Sequence, residues 1–179
     1  DAAAEENFRW DEAAKFVDTL PYKPAFVDSL KNAYRITRPP APLRTIMKQG
    51  FSEGEILVYD IGWGPFKAGY VILTATPDAA SRTIRLGGKA LSNGFVSTFY
   101  RMRDYVLSTI DDAGLYLLLF EQHLREGKRY RSDGWILYDH ARCSLYVKER
   151  KVKTMSTPPF VNDYLSVLYL VRSKKFGPG

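Results

Sequence analysis

The sequence predicts a mainly β protein: an antiparallel meander forming a strongly curved sheet or open barrel, with a short helical N-terminal arm and one helix near the C-terminus. Three observations carry this. From Glu55 the apolar period is two, so that Leu57, Tyr59, Ile61 and Trp63 share one side of an extended segment. The connections Gly62-Trp63-Gly64-Pro65, Asp112-Ala113-Gly114, Gly127-Lys128 and His140-Ala141 are short. Parallel neighbours would need crossovers of about a dozen residues or more. Aromatic residues make up 14% of the chain, twelve of them Tyr, and such side chains favour half-buried sheet surfaces.

Residues 1–50 read as an arm. Phe8, Ala13, Phe16, Val17 and Leu20 recur at helical spacing before Pro21, and a second short helix is expected from Pro24 to about Tyr34. Pro24 suits its first turn, and Phe26, Val27, Leu30 and Tyr34 fall on one side. Arg38-Pro39-Pro40-Ala41-Pro42 then forms an extended, stiff linker.

Residues 51–179 form the β domain. After the first strand and its Gly-Pro turn, a second runs over 68–76 and is broken by Pro77-Asp78. A third covers 83–91, with Ile84, Leu86 and Ala90 inward and Arg85 and Lys89 outward. A short helical crossing is expected over 95–100. Strands follow at 105–111, 115–126, 130–139, 142–148 and 151–155. A helix over 161–172, after Pro158-Pro159, carries Tyr164, Leu165, Leu168 and Tyr169 on one face. A meander of seven or eight twisted strands curls on itself, with one helix plugging or flanking it.

Bulk properties fit one ordinary domain plus an arm: 179 residues, 45% hydrophobic and 26% charged. The net charge of +6 permits attraction to anionic partners such as phospholipid headgroups, acidic glycans or nucleic acid, without choosing among them. A single cysteine, Cys143, excludes an intrachain disulfide. No run of about 18 apolar residues exists, so no transmembrane segment is expected. The chain begins Asp1-Ala2-Ala3 without Met, which we read as a processed start with any export signal removed.

Few residues are arranged for chemistry. Cys143 lies near Asp139-His140, but strand alternation places it inward with Leu145 and Val147, as a small buried hydrophobe. Glu121, His123 and Arg125 alternate on one strand face. With two histidines and one cysteine in the chain, a metal site is poorly supplied, and cross-strand pairing with Arg129, Arg131 or Asp133 accounts better for them. Glu121 and Asp133 are candidate carboxylates for glycan chemistry, although spacing alone fixes no separation. Gly62-x-Gly64 precedes a strand rather than a helix, so it is no phosphate loop. The run Lys148–Lys153 alternates charge with apolar residues as a solvated strand does, and no nucleic acid partner is expected. The aromatic residues leave two readings open. They pack a core, or Tyr59, Trp63, Phe95, Phe99, Tyr100, Phe120, Trp135 and Tyr138, with Phe66, line an open-mouthed sheet that binds a ligand.

Four segments resemble a known family. They are Gly54-Glu55 through Tyr59 to Trp63-Gly64 and Lys67-Ala68-Gly69; Ser92-Asn93-Gly94-Phe95-Val96 with Tyr100–Asp104; Phe120-Glu121 with Leu124–Gly127 and Trp135–Asp139; and Pro158-Pro159 with Asp163, Leu165-Ser166 and Leu168-Tyr169. Over about residues 50–172 this set resembles the bacterial family catalogued as domain of unknown function 3108. The resemblance implies an exported Gram-negative envelope protein, periplasmic or on the periplasmic side of the outer membrane, with a β-rich core and no established activity. Family members continue past the Pro-Pro helix with more strands, so the β domain is expected to lack its last strands or to have its edge covered by another chain. The expected function is non-catalytic binding of a lipid, polysaccharide or envelope protein partner on the curved sheet, without cofactor or metal. The alternatives are a structural subunit docking by its arm or open sheet edge, and a glycan-active enzyme using Glu121 and Asp133.

Overall fold

The structure is a computed structural model describing residues 24–39, 41–46, 50–52, 54–148 and 151–174; the helix expected over 8–20 lies outside them. Eight strands follow one another as a pure antiparallel meander: β1 (Glu55–Trp63), β2 (Phe66–Asp78), β3 (Thr83–Ser92), β4 (Arg103–Asp111), β5 (Leu117–Glu126), β6 (Tyr130–Asp139), β7 (Ser144–Lys148) and β8 (Val152–Ser156). The sheet is open, with β1 and β8 at its edges. Register shifts at Ile61/Gly62 and at Thr109/Ile110 mark bulges, the usual device for bending a strand. Gly69 sits where β2 passes so close to β3 that a Cβ would stand 2.1 Å from the Leu91 carbonyl oxygen.

Among the described residues three helices accompany the sheet: α1 (Pro24–Ala33), α2 (Gly94–Phe99) between β3 and β4, and α3 (Ser166–Arg172). The Asn93 side chain accepts from Val96 N–H at 2.8 Å and donates to the Lys67 carbonyl at 2.6 Å, which caps α2 and ties it beside the β1–β2 turn. The predicted C-terminal helix begins later than expected, at Ser166. Asp163 Oδ1 takes the N–H groups of Leu165 and Ser166 and the Ser108 hydroxyl, so 163–165 form a turn anchored to β4.

Both faces of the sheet are covered. On one, Leu165 and Tyr169 pack with Ala75, Ile84, Leu86 and Ile110. On the other, Val27 and Leu30 of α1 pack with Leu119, Leu137 and Tyr146, while Tyr70, Ile72 and Leu91 form a second cluster. The helical part of the arm is therefore seated on the sheet, and Arg38 secures the segment after it through Asp111 at 2.8 Å and the carbonyls of Ser81 and Arg82.

This two-sided burial corrects one expectation. Lys89, read as outward, is only 3% exposed, because its face of β3 lies under protein too. Its Nζ lies 4.9 Å from the centroid of the Tyr105 ring, a cation–π arrangement. Cys143 corrects another: it is exposed at φ 48° in the β6–β7 turn, since β7 starts at Ser144 rather than Arg142.

Candidate functional site

The α1-covered face carries a ladder of charged side chains across β3–β6, set by strand register. Arg125 stands directly opposite Arg131, and the pairs Tyr105–His123 and Met102–Glu126 place Arg103 opposite Arg125. Three arginines thus form one cross-strand row. Like charges directly opposite destabilise a sheet, so packing does not call for this arrangement. One step inward lies the row Lys89, Tyr105, His123 and Asp133, and a further step brings Glu121 and Trp135.

The inner rows are tied together and to Arg125 by hydrogen bonds, while Glu121 Oε1 is buried without one. His123, 6% exposed, donates from Nδ1 to Asp133 Oδ1 at 2.6 Å, and its Nε2 faces Glu121 Oε2 at 4.0 Å. Trp135 Nε1 donates to Glu121 Oε2 at 2.8 Å, and Arg125 donates to Asp133 at 2.6 Å. Burial, the largest influence on His123, works against its charged form. The hydrogen bonds and charges of Glu121 and Asp133 outweigh it and raise the imidazole pKa above the ordinary histidine value. Burial likewise pushes the Asp133 carboxyl up, but His123 and Arg125 hold it below the usual range.

The outer row opens into a pocket of about 200 Å³ lined by Arg101, Arg103, Tyr105, Arg125, Gly127 and Arg131, four arginines and no acid. The chain builds it from turns. Gly127 takes φ +54°, a left-handed value suited to glycine, and a Cβ there would press within 3.2 Å of the Tyr100 ring. Its N–H donates to the Arg101 carbonyl at 2.8 Å, and Tyr100 donates to Glu126 at 2.6 Å. These contacts bring the α2–β4 connection against the β5–β6 turn, so arginines distant in sequence line one hollow. Guanidinium groups offer forked donors matched to phosphate or carboxylate.

Two other hollows differ in character. One of about 430 Å³ lies between the strap 36–39 and the sheet, lined by Ile36, Arg38, Arg85, Leu119 and His140 among others. The second, of about 340 Å³, is a mainly apolar groove beside α3, with Val71, Leu73, Val106, Leu124, Leu165 and Leu168. Among the described residues no group of three or more His, Cys, Asp or Glu is placed to hold a metal ion. Nor is any helix among them long and apolar enough to cross a membrane.

A family model described as "Protein of unknown function (DUF3108)" matches residues 58–179. The chain belongs to the DUF3108 family. No curated protein and no solved structure matches it.

Within this DUF3108 domain the eight aromatic residues singled out from sequence do not meet on one surface. Phe120 and Tyr138 are buried on the α3 side, Phe120 against Tyr164 at 5.3 Å and Tyr138 through a hydrogen bond to the Pro158 carbonyl. Trp135 lies on the α1 side beside Glu121 and His123. Tyr59 is exposed on edge strand β1. Trp63, Phe95, Phe99 and Tyr100, with Phe66, stand exposed on the β1–β2 turn and on and after α2, at the arginine-bearing end. Glu121 and Asp133 are brought together, one on each side of His123, yet neither lines the three hollows described above.

The arginine pocket is not evident from the sequence, which suggests only cross-strand pairing for Arg125 and Arg131. The available signal was Arg at both 101 and 103, with Arg125 and Arg131 flanking the tight turn at Gly127-Lys128. That turn forces the last two opposite each other.

Proposed function

We propose that this protein is a non-catalytic binding protein of the cell envelope that holds an anionic group, phosphate or carboxylate, of a lipid or acidic polysaccharide in the arginine pocket. The observation that carries this is the row Arg103–Arg125–Arg131, with Arg101 beside it, around a hollow that has no acidic lining. An anion seated there joins the Asp133 carboxylate already on Arg125 and takes several charge-assisted hydrogen bonds, each worth about 1.5–3 kcal/mol. The placement in the envelope draws support from the resemblance to exported proteins.

The carboxylates fit this reading better than glycan hydrolysis. Glu121 is 1% exposed and turned towards Trp135, and Asp133 is engaged by His123 and Arg125. Both hold the inner rows in place rather than face an open cleft. A second reading is favoured by the apolar groove beside α3, whose aliphatic lining suits an acyl chain or an apolar segment of a partner.

Calorimetric titration with glycerol phosphate and with a uronate disaccharide tests the main reading. Binding of either is expected, weakening with added salt and falling about tenfold or more for the Arg103→Ala/Arg131→Ala double variant. Arg85→Ala, at the opposite end of the sheet, leaves it unchanged. No heat with either anion, or equal loss in both variants, contradicts the assignment.

A further inference from the structure

In a meander every second connection leaves at the same end of the sheet. The β1–β2, β3–β4, β5–β6 and β7–β8 connections therefore share one end. That end displays large aromatic side chains to solvent: Trp63 is 89% exposed, Phe66 77%, and Phe95 and Phe99 76% each. Phe95 and Phe99 form an edge-to-face pair at 5.7 Å on α2, which has no buried residue, so neither ring serves the fold. The β1–β2 turn that carries Trp63 and Phe66 lies beside them, because Asn93 fastens the start of α2 to Lys67 and Ala68.

Basic side chains share this end of the sheet, one of them, Lys67, 3.6 Å from Asp60. Lys67, Arg101, Lys128 and Arg129 are exposed at the same end, and the chain as a whole is +6. Exposed aromatic residues on a turn and a short helix, with basic side chains at the same end, match the interface of an anionic bilayer. The rings enter the headgroup region while the cations meet lipid phosphates.

We propose that this end of the sheet docks on the surface of an anionic lipid bilayer, with Trp63, Phe66, Phe95 and Phe99 entering the headgroup layer. The bilayer, rather than a protein partner, is favoured by the combination of positive charge with rings spread over a turn and a short helix. Docking goes beyond the anion-binding reading and stands on the aromatic residues, not on occupancy of the arginine pocket.

Co-sedimentation of the full chain with vesicles of phosphatidylglycerol mixed with phosphatidylcholine, and with phosphatidylcholine alone, tests it. The expected result is binding to the anionic vesicles only, reduced about tenfold or more in Phe95→Ser/Phe99→Ser. Those rings are exposed, so that variant should melt as the wild type does, and Trp63→Ser/Phe66→Ser gives a second, independent reading. Lipids with brominated acyl chains should quench the wild-type fluorescence more than that of Trp63→Phe. Absence of binding to anionic vesicles overturns the proposal, as does binding that both double variants retain in full. A wild type that ignores vesicles but forms a dimer dispersed by the same substitutions assigns the surface to a second copy and equally overturns it. Failure of the pocket reading looks different: glycerol phosphate does not bind, yet anionic vesicles still sediment the protein.

Discussion

At the scale of single residues, His123 is a buried titratable group held between Asp133 at 2.6 Å and Glu121 at 4.0 Å. Its folded pKa is raised, so its stabilising contribution is complete below the unfolded value of about 6.5 and is lost as pH rises through the folded one. Asp133 runs the other way. Its folded pKa is lowered, so its contribution is present above about 3.9 and disappears as pH falls through the folded value. A histidine NMR titration should therefore place the His123 midpoint above 6.5, and Asp133→Asn should bring it down; a midpoint at or below 6.5 in the wild type would refute the bracketing. The alternation of Glu121, His123 and Arg125 on one face was readable from sequence, since β side chains point to opposite faces in turn. Their burial was not. A lysine or histidine on the far side of a strand looks solvent-facing until another element covers that side, and α1 and the strand clusters do so here.

At the scale of elements, the strands and their order were legible because period-two patterning and tight turns are both local signals. Helix α3 starts five residues later than periodicity suggested, because Asp163 folds its own turn first. The arginine row has no local signal in the sequence, because it exists only once the register of three strands is set. Register also explains Gly69, whose α-hydrogen faces the backbone of β3. Gly69→Ala should destabilise the protein by about 2 kcal/mol or more, because the clash is with a carbonyl that cannot swing away. Chemical denaturation showing a loss under about 0.5 kcal/mol, the range of ordinary surface substitutions, would mean that β2 and β3 are farther apart there.

At the scale of the whole molecule, the open sheet has two unlike ends. One gathers Asp78, Asp111, Asp112 and Asp139, where Asp111 and Asp139 fold turns through backbone N–H groups and pair with Arg38 and Arg142. The other gathers arginines and unburied aromatic rings. Composition announced a positive chain, but the arginine row forms only once the meander topology brings the odd-numbered turns to one end; the aromatic set read from sequence as one concave lining divides between core and rim. The proposed function requires that the basic end take an anion between specific arginines. Arginine side-chain ¹H–¹⁵N NMR during titration with glycerol phosphate tests this most directly. The account predicts saturable shifts in the Nε–Hε signals of Arg101, Arg103, Arg125 and Arg131, with those of Arg38 and Arg142 unmoved. Shifts spread evenly over all arginines, or none at saturating ligand, would contradict it.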